Sequence, residues 1–224
     1  VNFLCHARHQ QTPYSTLGCL LPDLMSFFRE VRLRPSKLPA DASSPRQREL
    51  LQGVHQHYVD DGWFHSTDAF VELNKELGDL LRAGQPVVEG QRFRAHFLGH
   101  ILLEMLLDAA WETVTPGATQ RMYDHLQAVL DDDIEDEVHR FLASCGIEAR
   151  PPVAMAMQRF VEEAFVHEYD RDERVHFRLG QVANRVRQPD LHEDLIPVIS
   201  QARERVFARR EALWTPPSAA TGRI

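Results

Sequence analysis

From Arg92 to Thr113 the chain is apolar almost all the way round a helix. The exceptions beyond its first turn are His96, His100, Glu104 and Asp108, each four residues after the last, and Glu112. A helix that is apolar on nearly every face belongs in the middle of a bundle. Four residues advance about 6 Å and turn about 40°, so these polar groups form one stripe inside that bundle. Ionisable groups in such surroundings are costly to bury unless they are paired or bound to an ion. The helix from Gln52 repeats the device with His57, Asp61 and His65 at the same step. A chain built this way must fold as packed helices that present two polar ladders.

The remaining segments agree with that demand. Ser15–Arg34 reads as a helix carrying Leu17, Leu20, Leu21, Leu24 and Phe28, with a start near Pro22 where proline suits a first turn. Pro35–Pro45, with three prolines and three serines, reads as a loop. Arg46–Arg82 reads as one long helix bent at Gly62. Ala118–Ser144 reads as another, with the acidic run Asp131–Glu137 on a solvated face. Helices over Val153–Tyr169, Asp172–Arg187 and Leu191–Trp214 complete the set, and no stretch alternates as a strand would. The fold expected is all-α, a bundle of about seven to eight helices. Its 224 residues fit one domain over 1–215, followed by a flexible tail at 216–224.

Charge and cysteine usage narrow the function classes. A net charge of −8 disfavours a nucleic-acid binder, which needs a basic surplus to meet phosphates. The three cysteines, Cys5, Cys19 and Cys145, show no CxxC spacing, so a disulfide scaffold is not expected and a reducing cytoplasm is. No apolar run approaches a membrane span, and the N-terminal residues lack a signal pattern.

Twelve histidines are the residues that call for chemistry. Imidazoles and carboxylates on facing helices can hold Mn, Fe, Zn or Ni. The ladders, with His6 and Asp23 near the N-terminus, supply enough donors for one or two such ions. Two close ions can clamp both oxygens of a displacement at phosphorus.

These same residues carry a resemblance. Val1–His6 reads VNFLCH, Leu17–Asp23 reads LGCLLPD and Gly53–His65 reads GVHQHYVDDGWFH. The three blocks resemble the Asn-Phe-Leu-Ala-His, Leu-Gly-Asn-Leu-Leu-x-Asp and Gly-Ile-x-x-His-Arg-x-Ile-Asp-x-Phe-Thr-Asp blocks of the acyl carrier protein phosphodiesterases, a divergent HD-domain-like family. His57 falls on the family's histidine and Asp61 on its first aspartate, while His65 replaces the second. His100–Trp111 fits the frame of a fourth block, with His100 and Glu104 in place of aspartates and Met105 in place of a histidine. Tyr169–Arg187 resembles the closing helices, with Arg185 and Arg187 on an Arg-x-Arg-like ending.

The resemblance implies an HD-like helical bundle and a metal site at His6, Asp23, His57, Asp61, His65, His100 and Glu104, with His96 compensating for Met105. It implies a metal-dependent phosphoester hydrolase with a metal-activated water as nucleophile, His57 and Asp61 at its centre. Acyl carrier protein is the family's substrate. Replacing aspartate by histidine softens the donors, away from Mn and Mg towards Zn, Fe or Ni. Arg185 and Arg187 would hold a phosphate bidentately. His9, His55 or Asp60 would assist the leaving group by proximity. Two alternatives use the same residues: an HD-type di-iron oxygenase, and a non-catalytic binding module whose bundle a saturated metal site stabilises.

Overall fold

The computed structural model of the chain describes residues 2–28, 30–86, 92–130 and 133–215. Among these the structure is all-α: ten α-helices and two short 3-10 turns, with no strand. The tail at 216–224 and the first two acids of the 131–137 run lie outside the described residues. No helix is long and apolar enough to cross a membrane among the described residues. Cys5, Cys19 and Cys145 are buried and form no disulfide with one another.

The chain divides into two compact units and passes from one to the other at Asn2–Phe3, Gly62–Trp63, Val114–Thr115 and Phe165–Val166. The first unit holds 3–62 and 115–165, and so α1 (Phe3–Ala7), α2 (Pro13–Met25), most of α3 (Pro45–Phe64), α6 (Ala118–Leu130), α7 (Ile134–Ser144) and α8 (Val153–Glu163). Leu17, Leu20, Leu21 and Leu24 of α2 are buried there, as are Leu50 and Val54 of α3. Helices α2 and α3 meet at two glycines. A methyl group on Gly53 would stand 2.7 Å from the Cys19 nitrogen and 2.8 Å from the Gly18 carbonyl carbon. Only a residue without a side chain lets the two backbones approach so closely. Phe3 and Phe160 close another part of this core edge to face at 4.8 Å.

The second unit holds Asn2 and the described parts of 63–114 and 166–224, and so α4 (Asp68–Gly84), α5 (Ala95–Val114), α9 (Asp172–Arg185) and α10 (Leu195–Trp214). It has a glycine crossing of its own, because a methyl group on Gly99 of α5 would stand 2.7 Å from the Gly78 nitrogen of α4. Leu98, Leu102, Leu103, Leu106 and Leu107 of α5 are buried, as the apolar run demanded. Trp111 and Trp214 pack edge to face at 5.0 Å. Arg205 and Arg209 of α10 reach Glu76 of α4 at 3.2 and 2.8 Å.

Several sequence expectations need correcting. Helix α2 starts at Pro13 and runs through Pro22, where the sequence suggested a start near Pro22 and an end at Arg34. Thr12 supplies the cap, its hydroxyl accepting the Ser15 N–H at 3.3 Å. Pro22 sits three residues from the helix end, so α2 forgoes one backbone bond late in its course. The stretch 46–82 breaks after Phe64, and Gly62 stays inside α3. The break comes where Thr67 caps α4 by accepting the Phe70 N–H at 3.2 Å. The stretch 118–144 is two helices, with Glu135, Asp136 and Glu137 in the first turn of α7, where carboxylates meet the positive helix end. Glu137 is buried and accepts the Gln47 amide at 2.7 Å, so this part of the acidic run is not simply a solvated face.

Candidate metal centres

Each unit contains a set of two histidines and one carboxylate whose donor atoms lie together. In the first unit the set is His6 of α1 with His57 and Asp61 of α3. Asp61 faces both histidines: one oxygen is 3.5 Å from His6 Nε2 and the other is 3.6 Å from His57 Nε2. The two imidazoles stack with centroids 3.9 Å apart. These separations are too long for good hydrogen bonds. They are close to the roughly 3.0–3.4 Å that separates neighbouring ligands at about 2.0–2.1 Å from one ion.

The surroundings fix which atoms face the set. His57 Nδ1 is 2.8 Å from the Cys19 carbonyl. A carbonyl only accepts, so Nδ1 carries the proton and Nε2 keeps its lone pair. That carbonyl is in place because Gly18 and Gly53 bring α2 against α3. His6 Nδ1 lies 3.6 Å from Asp60, which also receives Arg8 at 3.3 and 3.4 Å and the Gln56 amide at 2.9 Å. Both ring nitrogens of His6 are buried, and neither makes a hydrogen bond. A fully buried imidazole held among carboxylates without a hydrogen bond fits the role of a metal ligand.

The electrostatics follow from burial and the carboxylates. Burial disfavours charge on His6, but Asp60 and Asp61 outweigh it and raise its pKa. Burial and the neighbouring His6 charge press His57 down to about 3, so it is neutral. Burial would raise Asp61, yet the two histidines hold it well below the usual carboxylate range. The set therefore offers an ionised carboxylate and one neutral imidazole directly. It yields its second imidazole when His6 loses a proton.

In the second unit the set is His65, just past the end of α3, with His100 and Glu104 of α5. His65 Nε2 is 3.2 Å from His100 Nε2 and 3.3 Å from Glu104 Oε1, and His100 Nε2 is 3.0 Å from the same oxygen. This triangle matches the spacing of ligands around one ion more closely than the first set does. Phe70 packs its ring against His65 at 4.8 Å and against His100 at 5.0 Å. Burial opposes ionisation of Glu104, whereas the facing His100 and His65 imidazoles favour it and lower the pKa of its carboxyl. The side chains of His65 and His100 stay about one-third exposed, as does Asp61 in the first set. An ion in either place would keep a side open to solvent, which is the habit of catalytic rather than structural sites.

The other sequence candidates lie outside these sets. His96 packs over Gly78, and its Nε2 sits 4.0 Å from Asp79 rather than beside His100. Three residues at steps of four span about 12 Å of axis, so only adjacent rungs of a ladder can share an ion. Asp23 of α2 acts on His6 through its charge but supplies no donor atom to the close set. Arg185 and Arg187 are exposed at the end of α9, the latter in the left-handed region at φ 57°. His9 and His55 are exposed, whereas Asp60 is buried behind His6. The sequence suggests for Asp60 only a place near a leaving group. Its place beside Arg8 and His6 depends on α1 packing, which no local spacing announces. Comparison with protein-family models, curated proteins and solved structures finds no match.

Proposed function

We propose that this chain is a metal-dependent phosphoester hydrolase. The observation that carries the reading is the donor pattern. Each unit brings two imidazoles and one carboxylate within reach of one another and leaves a side of the set exposed. Three protein donors with open positions characterise catalytic divalent sites, whereas structural sites close with four. A divalent ion held there supplies Lewis acidity, acidifying a water and offsetting negative charge on a phosphoryl oxygen.

The chain's own groups prepare that chemistry. The Cys19 carbonyl fixes the tautomer of His57 and aims Nε2 at the site. Asp60, tied to Arg8 and Gln56, stands behind His6 as the orienting carboxylate that metal-bound histidines commonly require. Phe70 fixes both imidazoles of the second set by contact with their rings. Acyl carrier protein as substrate, Arg185 and Arg187 as phosphate contacts, and a cytoplasmic location extend the proposal on the resemblance and the residue types alone.

Protein loaded with Mn, Fe or Zn should hydrolyse bis-p-nitrophenyl phosphate, and the turnover should vanish with chelator and in H57A or H100A. Folded, metal-loaded protein that is inert with every ion would overturn the hydrolase reading. A second reading, oxidation at iron, is favoured by the same donors, because two histidines and one carboxylate are the facial set of non-haem Fe(II) oxygenases. Oxygen consumption by the iron-loaded protein without phosphoester turnover would decide for it.

A further inference from the structure

The first unit contains a concave feature that none of its three metal-donor residues lines. A cavity of about 200 Å³ lies where α1 and the start of α2 meet α6, with Arg8, Gln10, Gln11, Thr16, Arg121 and His125 among its walls. None of the residues lining it is acidic, in a chain whose net charge is −8. The charge on Arg8 is answered by Asp60. Arg121 is exposed, its contact is the Pro116 carbonyl at 3.4 Å, and no carboxylate pairs with it among the described residues.

Two of the polar groups form an ordered chain along one wall. Thr16 gives its single hydroxyl proton to the Thr12 carbonyl at 2.9 Å. His125 Nδ1, 2.8 Å from the Thr16 oxygen, must therefore donate to it. The ring is held in one orientation, with Nε2 left as its remaining contact atom. A guanidinium, an imidazole and side-chain amides around a small polar cavity suit an oxyanion, which takes several charge-assisted hydrogen bonds at once. The volume lies below the ~300 Å³ at which pockets begin to take drug-sized ligands, so the occupant is small.

We propose that this cavity binds a tetrahedral oxyanion, either free phosphate or the phosphoryl end of a small monoester, with Arg121 and His125 as its principal contacts. The site is independent of the metal reading, because none of the six ligand residues lines it.

The test is calorimetric titration of the full chain, in buffer containing chelator, with inorganic phosphate and separately with phenyl phosphate, each against matched chloride. Saturable one-to-one binding is expected for at least one of them, weakened about tenfold or more in R121A and in H125A. Tighter binding of inorganic phosphate identifies free oxyanion as the ligand, and tighter binding of phenyl phosphate identifies a monoester. Arg121 is exposed, so R121A should keep the thermal stability of the wild type. Absence of binding beyond the chloride control, or binding by both variants as tight as by the wild type, overturns the proposal. Because chelator is present throughout, neither result depends on whether the chain holds a metal.

Discussion

His57 and Asp61 come from adjacent turns of α3, and buried His6 joins them from a helix of five residues. In the other unit His100 and Glu104 come from adjacent turns of α5, and His65 joins them from just past a helix end. The recipe is the same: one rung pair on a helix, one histidine from elsewhere. The support differs. The first set is oriented by polar neighbours, namely the Cys19 carbonyl and the Asp60–Arg8–Gln56 cluster. The second is oriented by edge-to-face packing against the Phe70 ring, and its donors already form a triangle 3.0–3.3 Å on a side. A ligand set can thus be held by hydrogen bonds or by packing, and the two should fail in different ways.

The broadest test of that comparison is metal content by mass spectrometry. If the sets bind separately, H57A and H100A each lose one of two equivalents, with affinity at the altered set down by more than about a hundredfold. Loss of both ions in either single variant would show that the sets act as one. Next in size, F70A should lower stability by about 3–5 kcal/mol, as expected for a buried aromatic. It should weaken metal uptake at His65, His100 and Glu104 while sparing the other set. Denaturant melts with and without Zn would check this, and an undiminished second set would show that Phe70 is core and nothing more.

D60N tests the polar support. It should cost the first set about 10–100-fold in metal affinity, as loss of an orienting partner does, and leave the second unchanged. The smallest effect concerns pH. His6 has a folded pKa above its unfolded value because Asp60 and Asp61 overcome its burial. In chelator, its contribution to stability is fully present below about pH 6.5 and is lost as pH rises through the folded value. Metal at the first set requires the deprotonated ring, so the order reverses and affinity climbs with pH until His6 is neutral. Melting temperatures of wild type and H6Q, with and without Zn, should show the two opposite slopes in the wild type alone.

Much of this was legible in the chain. Buried leucines at three- and four-residue spacing gave α2 and α5 their faces, and helical periodicity placed His57 with Asp61 and His100 with Glu104. The breaks were less legible. Pro22 looked like a start but was carried inside α2, whereas Thr67, a cap easily passed over in a long amphipathic run, ended the preceding helix. His96 illustrates a subtler limit. Periodicity put it on the same stripe as His100, but the Gly78–Gly99 crossing gave its ring a place over α4 instead.

The sequence by itself therefore determined the all-α class and the pairs of donors four residues apart, because helical spacing is a local property of the backbone. Only the tertiary structure decided which third histidine completes each pair, that Asp60 stands behind His6, and that Arg8, Arg121 and His125 line one cavity. Those choices bring together residues far apart in the chain. They depend on how closely helices can approach, which the glycine crossings set and no local pattern records.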